Sequence, residues 1–151
     1  MRCIVIKVKK LLEMKGSDIW SVGPDSSVFD AVKLMGEKNI GALAVMNDDG
    51  IVGIFSERDY TRRVFQLDRA PQDIMVKDVM TQDVLYAKPE ERCEDVLCVM
   101  SKHDIRHMPV IDDEHTTLGM ISIGDMAKEI IGQQKSQIHN LEHYVNWAER
   151  Y

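Results

Sequence analysis

No uninterrupted apolar run in this sequence approaches the roughly 20 residues that a membrane-spanning helix requires. Basic residues are in the minority, 19 Lys and Arg against 25 Asp and Glu, for a formal net charge of −6. That balance argues against a duplex nucleic-acid binder, which presents a broad basic face. "RDYTRR" at 58–63 is only a local basic cluster. Cysteine is scarce as well. Cys3, Cys93 and Cys98 are three, an odd number that suggests no disulfide framework, so a reducing, cytoplasmic setting is expected. The opening stretch has an apolar run of only four residues before lysines intervene, which is unlike a secretory signal.

What is present is one domain's worth of chain, 151 residues with 44% hydrophobic content, enough for an ordinary core. That chain repeats itself. Pro24 and Pro89, Asp30 and Asp95, Met35 and Met100, Ile40 and Ile105, and Val45 and Val110 all stand 65 residues apart. One further residue in a turn widens the spacing to 66, at which Gly53, Ser56 and Asp59 match Gly119, Ser122 and Asp125. Two halves of this size are marginal alone, so they are expected to pack on each other.

The periodicity gives each half the order β-α-β-β-α. "IWSV" (19–22) and "VLYA" (84–87) are short β-favouring runs. A helix follows each, with Val28, Ala31, Val32 and Met35 on one apolar stripe and Cys93, Val96, Leu97 and Met100 on its counterpart. Ser26 or Ser27 can cap the first. "ALAVM" (42–46) and "GIVGIF" (50–55) then form a hairpin across "NDDG", matched by "HMPVI" (107–111) and "LGMIS" (118–122). A second helix begins just after the Ser of each half. The expected division is an N-terminal helix at 1–16, a first repeat at 17–67, a linker at 68–77, a second repeat at 78–131 and a C-terminal helix at 132–151. The fold class is α/β (α+β), with the repeats related by a pseudo-twofold.

The phrase Ser-x-x-Asp occurs once per half, as "SERD" and "SIGD". Its plain explanation is a helix cap resembling a capping box. Its functional explanation rests on geometry. A strand running into a helix aims backbone N–H groups at one spot, Ser adds a hydroxyl, and Asp adds two acceptor oxygens that suit adjacent ribose hydroxyls. Arg58, Arg106 and His107 are candidates for phosphate, while Arg62 and Arg63 read as an exposed helix face. Pro109, inside an apolar strand, removes a ladder donor and is expected at an edge or a break, where unpaired backbone could meet a base.

The repeated frame, the stretch "MTQDVLYAKPEERCEDVLCVMSKHDIRHMPVIDD" with "LGMISIGD", and the more divergent first half resemble the tandem cystathionine β-synthase (CBS) domain pair, or Bateman module. "SERDYTRRV" resembles the free-standing subgroup with a Ser/Thr-Glu-Arg-Asp-Tyr phrase. The resemblance covers about residues 17–131. It implies a regulatory, energy-sensing module that binds an adenine nucleotide (AMP, ATP or NAD(H)) between the repeats. It implies further that Asp59 and Asp125 hold ribose hydroxyls, with Ser56 and Ser122 near ribose or phosphate. The base would then lie between the first-strand starts, Ile19 and Val84, and the segments holding Ala42, Leu43, Met108 and Pro109. The first repeat departs from the pattern: Ala44 stands where Pro109 stands, and Gly41-Ala42 replace Arg106-His107. Arg58 has Gly124 as its counterpart. The two sites are therefore expected to differ, with the proline-containing second repeat, and Asp125, mattering more.

Other readings fare less well. Cys93, Cys98, His103 and His107 leave only four residues between the Cys pair and the His pair, too few for a zinc finger, and positions 93 and 98 differ by about 140° around a helix. His139 and His143 lack a third ligand. No metal site is expected. There is no Walker motif, nucleophile elbow or persuasive nucleophile–base pair, so no enzyme is expected. The alternative to sensing is a dimerising scaffold without a physiological nucleotide. After Gly132, Ile138, Leu141, Val145 and Ala148 form a short a/d-type seam that must dock on something. A homodimer and an unidentified regulated protein are the expected partners.

Overall fold

The computed structural model describes residues 5–148, with side chains through Glu142. The first half holds β1 (Ser21–Val22), α2 (Val28–Lys38), β2 (Ala42–Asn47) and β3 (Gly50–Ser56), preceded by α1 (Val8–Lys15). A short α3 (Glu57–Asp59) passes into a π-helical stretch (Tyr60–Val64) and a 3₁₀ turn (Phe65–Leu67). The connector carries a second 3₁₀ turn (Pro71–Asp73) and α4 (Val76–Val79). The second half holds α5 (Cys93–Lys102), β4 (His107–Ile111), β5 (Thr117–Ser122) and α6 (Ile123–Ala148).

Local chemistry accounts for the element ends. Ser27 caps α2 by accepting the Asp30 N–H at 3.0 Å, and α1 stops at Gly16, whose φ of 95° is a left-handed value. α6 runs unbroken through Gly132, so no separate helix begins there; one mid-helix glycine costs only about 1 kcal/mol. Of the expected C-terminal seam, Ile138 and Leu141 are exposed, and the side chains of Val145 and Ala148 lie outside the described ones, as does that of His143.

The two halves differ at the first strand. In the first, the Ala44 N–H donates to Trp20 O at 3.1 Å, and β1 pairs parallel with β2. In the second, the matching residue is Pro109, which has no N–H to give. "VLYA" consequently forms no strand, and a single bridge between Ala87 and Val110 remains. Among the described residues β5 is the one strand that pairs with β4, antiparallel, and the other side of β4 meets only the Ala87 bridge, so Pro109 lies on a sheet edge. Val32, expected on the buried stripe of α2, is exposed, whereas Val28, Ala31 and Met35 are buried.

Each half owns a core completed by a segment that precedes the other half. Val28, Ala31, Leu43, Val45 and Phe55 pack with Ile74, Val76, Val79 and Met80 from the connector. Cys93, Val96, Met100, Met108 and Ile121 pack with Ile6, Val8, Leu11 and Leu12 from the N-terminal segment. The exchange is fixed by matching hydrogen bonds, Val76 N to Ser26 O and Lys77 N to Pro24 O on one side, Val8 N to Glu91 O and Lys9 N to Pro89 O on the other, all 2.9 Å. The glycine of each repeated phrase marks the crossing. A Cβ on Gly53 would stand 2.5 Å from Met80 Sδ, and one on Gly119 would stand 2.7 Å from Leu12 Cδ2.

Candidate functional site

Between the halves lie two clefts, of about 450 and about 250 Å³. The larger brings Ser56, Arg58 and Asp59 from the first half together with Val84, Arg106 and His107 from the second. The smaller brings Ser122 and Asp125 together with Ala42 and Trp20. Each Ser-x-x-Asp thus faces the other repeat's opening segment. Asp59 shares its cleft with Arg106 of the second repeat, and Asp125 does not. Gly41 and His107 border both clefts.

Asp59 is only 7% exposed. Its Oδ2 accepts the Ser56 N–H at 2.9 Å and the Ser56 hydroxyl at 2.7 Å, and Ser56 Oγ accepts the Asp59 N–H at 3.3 Å, so a full capping box is present. The other oxygen, Oδ1, accepts the Thr81 hydroxyl at 3.0 Å and lies 3.6 Å from Arg63 Nη1. Arg63 is no idle surface charge. It also donates to the carbonyls of Val79 and Met80, tying α4 to the cleft. Arg62, expected on an exposed face, is exposed but lines the larger cleft.

Asp125 is capped by the same logic, accepting the Ser122 N–H at 3.0 Å, but Lys15 Nζ also donates to it at 2.8 Å and to Met120 O at 2.6 Å. Burial alone would raise the Asp125 pKa; the bonds from Lys15 and Ser122 outweigh it and hold the carboxyl below its usual range. His107 is displaced downward, because burial disfavours its charged form more than Asp125 and Glu57 favour it. Trp20, at the edge of the smaller cleft, has Lys38 Nζ 4.0 Å from its ring centroid.

Four expected residues border neither cleft. Leu43 and Met108 are core side chains, because strand alternation turns 43 and 108 inward when 42 and 107 face the clefts. Pro109 is buried and Ile19 half-buried. Thr81, Asp83, Leu85 and Asp104 line the larger cleft and Lys15 the smaller, all unnoticed in the sequence reading. Only the repeat offset signals any of them, and it gives no hint of the crossing. Among the described residues no hydrogen bond reaches Leu85 O, whose counterpart Trp20 O is satisfied by Ala44. Cys93 lies in the core, with burial pushing its thiol up to about 11, while Cys98 is exposed, so the two share no site.

Comparison with known proteins follows the same outline. The CBS domain family model matches twice, at residues 9–65 and 76–132. The CBS domain-containing protein CBSX3, mitochondrial, of Arabidopsis thaliana is 33% identical over 86% of this chain, which spans 65% of that relative's length. The chain spans 40% and 23% of two further relatives from Methanocaldococcus jannaschii. A putative signal-transduction protein with CBS domains from Burkholderia ambifaria superposes with a TM-score of 0.82 at 39% identity, over 85% of this chain and 96% of that one. The CBS domain pair of protein MJ0100, in complex with 5′-methylthioadenosine and S-adenosyl-L-methionine, superposes with a TM-score of 0.75 at 25% identity, over 85% and 98% of the two chains.

Proposed function

The chain belongs to the CBS domain family as a tandem pair, and from that premise we propose that it is a non-catalytic regulatory module that binds an adenine nucleotide in the larger cleft. The observation that carries this reading is the meeting of Asp59 and Thr81 with an apolar wall and basic groups in one cleft of about 450 Å³. That volume suits a small ligand, whereas about 250 Å³ falls below the usual range, and Lys15 already sits on the carboxylate of the smaller cleft. The MJ0100 complex, a CBS pair holding adenosine compounds, supports the same ligand class.

In this reading Ile54, Val84 and Leu85 flank the base, and the unpaired Leu85 carbonyl accepts from its exocyclic amine. A ribose hydroxyl replaces the Thr81 hydroxyl on Asp59 Oδ1. Arg58 and Arg106 take the phosphate. His107, held neutral, contributes a hydrogen bond. AMP, ATP and NAD(H) all present these groups. Occupancy biases how the two halves sit, and an unidentified partner reads the result. Self-association into a homodimer is supported by the exposed Ile131, Ile138 and Leu141 of α6. Mass spectrometry of the natively purified protein should find an adenine nucleotide, and added AMP should raise its melting temperature. A protein that carries none and is unmoved by adenosine, AMP, ATP and NADH would instead be a scaffold.

A further inference from the structure

Arg58 reaches across the larger cleft to the other repeat. Its Nη1 donates to Asp104 O at 2.5 Å and lies 3.1 Å from Asp104 Oδ2, although the two residues are 46 apart in sequence. Arg58 lines the larger cleft with its side chain 25% exposed, whereas that of Asp104 is 74% exposed. The carboxylate therefore stands where it competes with any anion for the guanidinium. It adds to the negative charge of Glu57 and Asp83, which line the same cleft.

The backbone does not require that charge. Asp104 follows α5 with φ 52°, and its counterpart after α2 is Asn39 with φ 53°. Asn and Asp tolerate this left-handed conformation alike, so Asn would serve the turn equally well. The smaller cleft carries the neutral Asn39, and Gly124 stands in the place of Arg58, so the cross-repeat ion pair belongs to the larger cleft alone.

We propose that Asp104 sets the charge selectivity of the larger cleft, holding Arg58 and thereby penalising anionic ligands relative to neutral ones. This rests on the nucleotide reading above. A phosphate must displace or share Asp104 to reach Arg58; a neutral nucleoside need not. Loss of the carboxylate leaves the Asp104 carbonyl on Arg58 but removes the competing negative charge and its repulsion of a phosphate, so AMP gains and adenosine does not.

The test is isothermal titration of adenosine and AMP into the wild-type protein, Asp104→Asn and Asp104→Gly, at low and at high salt. Both variants retain the φ and lose the charge. The AMP-to-adenosine affinity ratio should rise about two- to fivefold in each, the size expected of an exposed ion pair, and the gain should shrink with salt. If both ligands bind and the ratio does not change, Asp104 has no such role and the nucleotide reading stands. If neither ligand binds any of the three proteins, the nucleotide reading falls and the role of Asp104 falls with it.

Discussion

Asp59 and Asp125 occupy equivalent places in the repeat but meet different neighbours. The Asp59 carboxylate is bonded by Ser56 and Thr81, with Arg63 beside it, and Asp125 is bonded by Ser122 and Lys15. The cap was legible from spacing, since Ser and an acidic residue three apart at a strand–helix junction match a capping box. The neighbours were not, because Thr81 lies 22 residues from Asp59 and Lys15 lies 110 from Asp125. On the proposed reading, Arg106→Ala should weaken AMP while leaving adenosine nearly unchanged in titration; equal losses would make Arg106 a structural residue. His107 predicts a pH dependence. At pH values between its lowered folded pKa and the ordinary 6.5, the unfolded chain binds a proton that the folded chain does not, so stability falls as pH drops through that window. The melting midpoint should decline between about pH 7 and 5, and His107→Gln should flatten the decline. An unaltered slope would remove His107 as its cause. Asp125 acts in a separate, lower window. Its depressed pKa contributes stability above the ordinary 3.8 that is lost as pH falls through the folded value.

Among the elements, period and turn chemistry identified α1, α2, α5 and both hairpins, because the helices bury an apolar stripe and β2 and β4 are continuous buried apolar runs joined through turns to the alternating β3 and β5. The same reasoning failed at "VLYA". Its β-favouring residues needed a donor from the neighbouring strand, and Pro109 withholds it. The glycines of the repeated phrase make a sharper test of the crossing segments. A methyl group on Gly53 meets Thr81 O at 2.9 Å as well as Met80, and that backbone is fixed by the reciprocal Ile54–Thr81 bonds of 2.9 and 2.8 Å. The one on Gly119 meets only the end of the Leu12 side chain, which can rotate. Gly53→Ala should therefore destabilise by roughly 1–3 kcal/mol, the usual cost of overpacking, and Gly119→Ala by less. Chemical denaturation of both variants checks the order, and equal losses would contradict it.

At the level of the whole molecule, the internal repeat was legible and its consequence was not. The repeat and its departures lead to unequal sites between the halves, but not to the exchange of α1 and the connector between the cores, because nothing in the local pattern of "VKKLLEMK" says which core it completes. Light scattering should give a mass near twice 17.3 kDa. A monomer throughout the micromolar range would leave the apolar positions of α6 without a second copy. The central claim, that the larger cleft holds an adenine nucleotide through Asp59, is met most directly by titrating AMP into the wild-type protein, Asp59→Asn and Asp125→Asn, with melting curves confirming that each is folded. Asp59→Asn should cost about tenfold or more in affinity, as expected when a charged hydrogen-bond acceptor is lost, while Asp125→Asn changes it little. Undiminished AMP affinity in folded Asp59→Asn would contradict the account and leave Ser56–Asp59 as a helix cap.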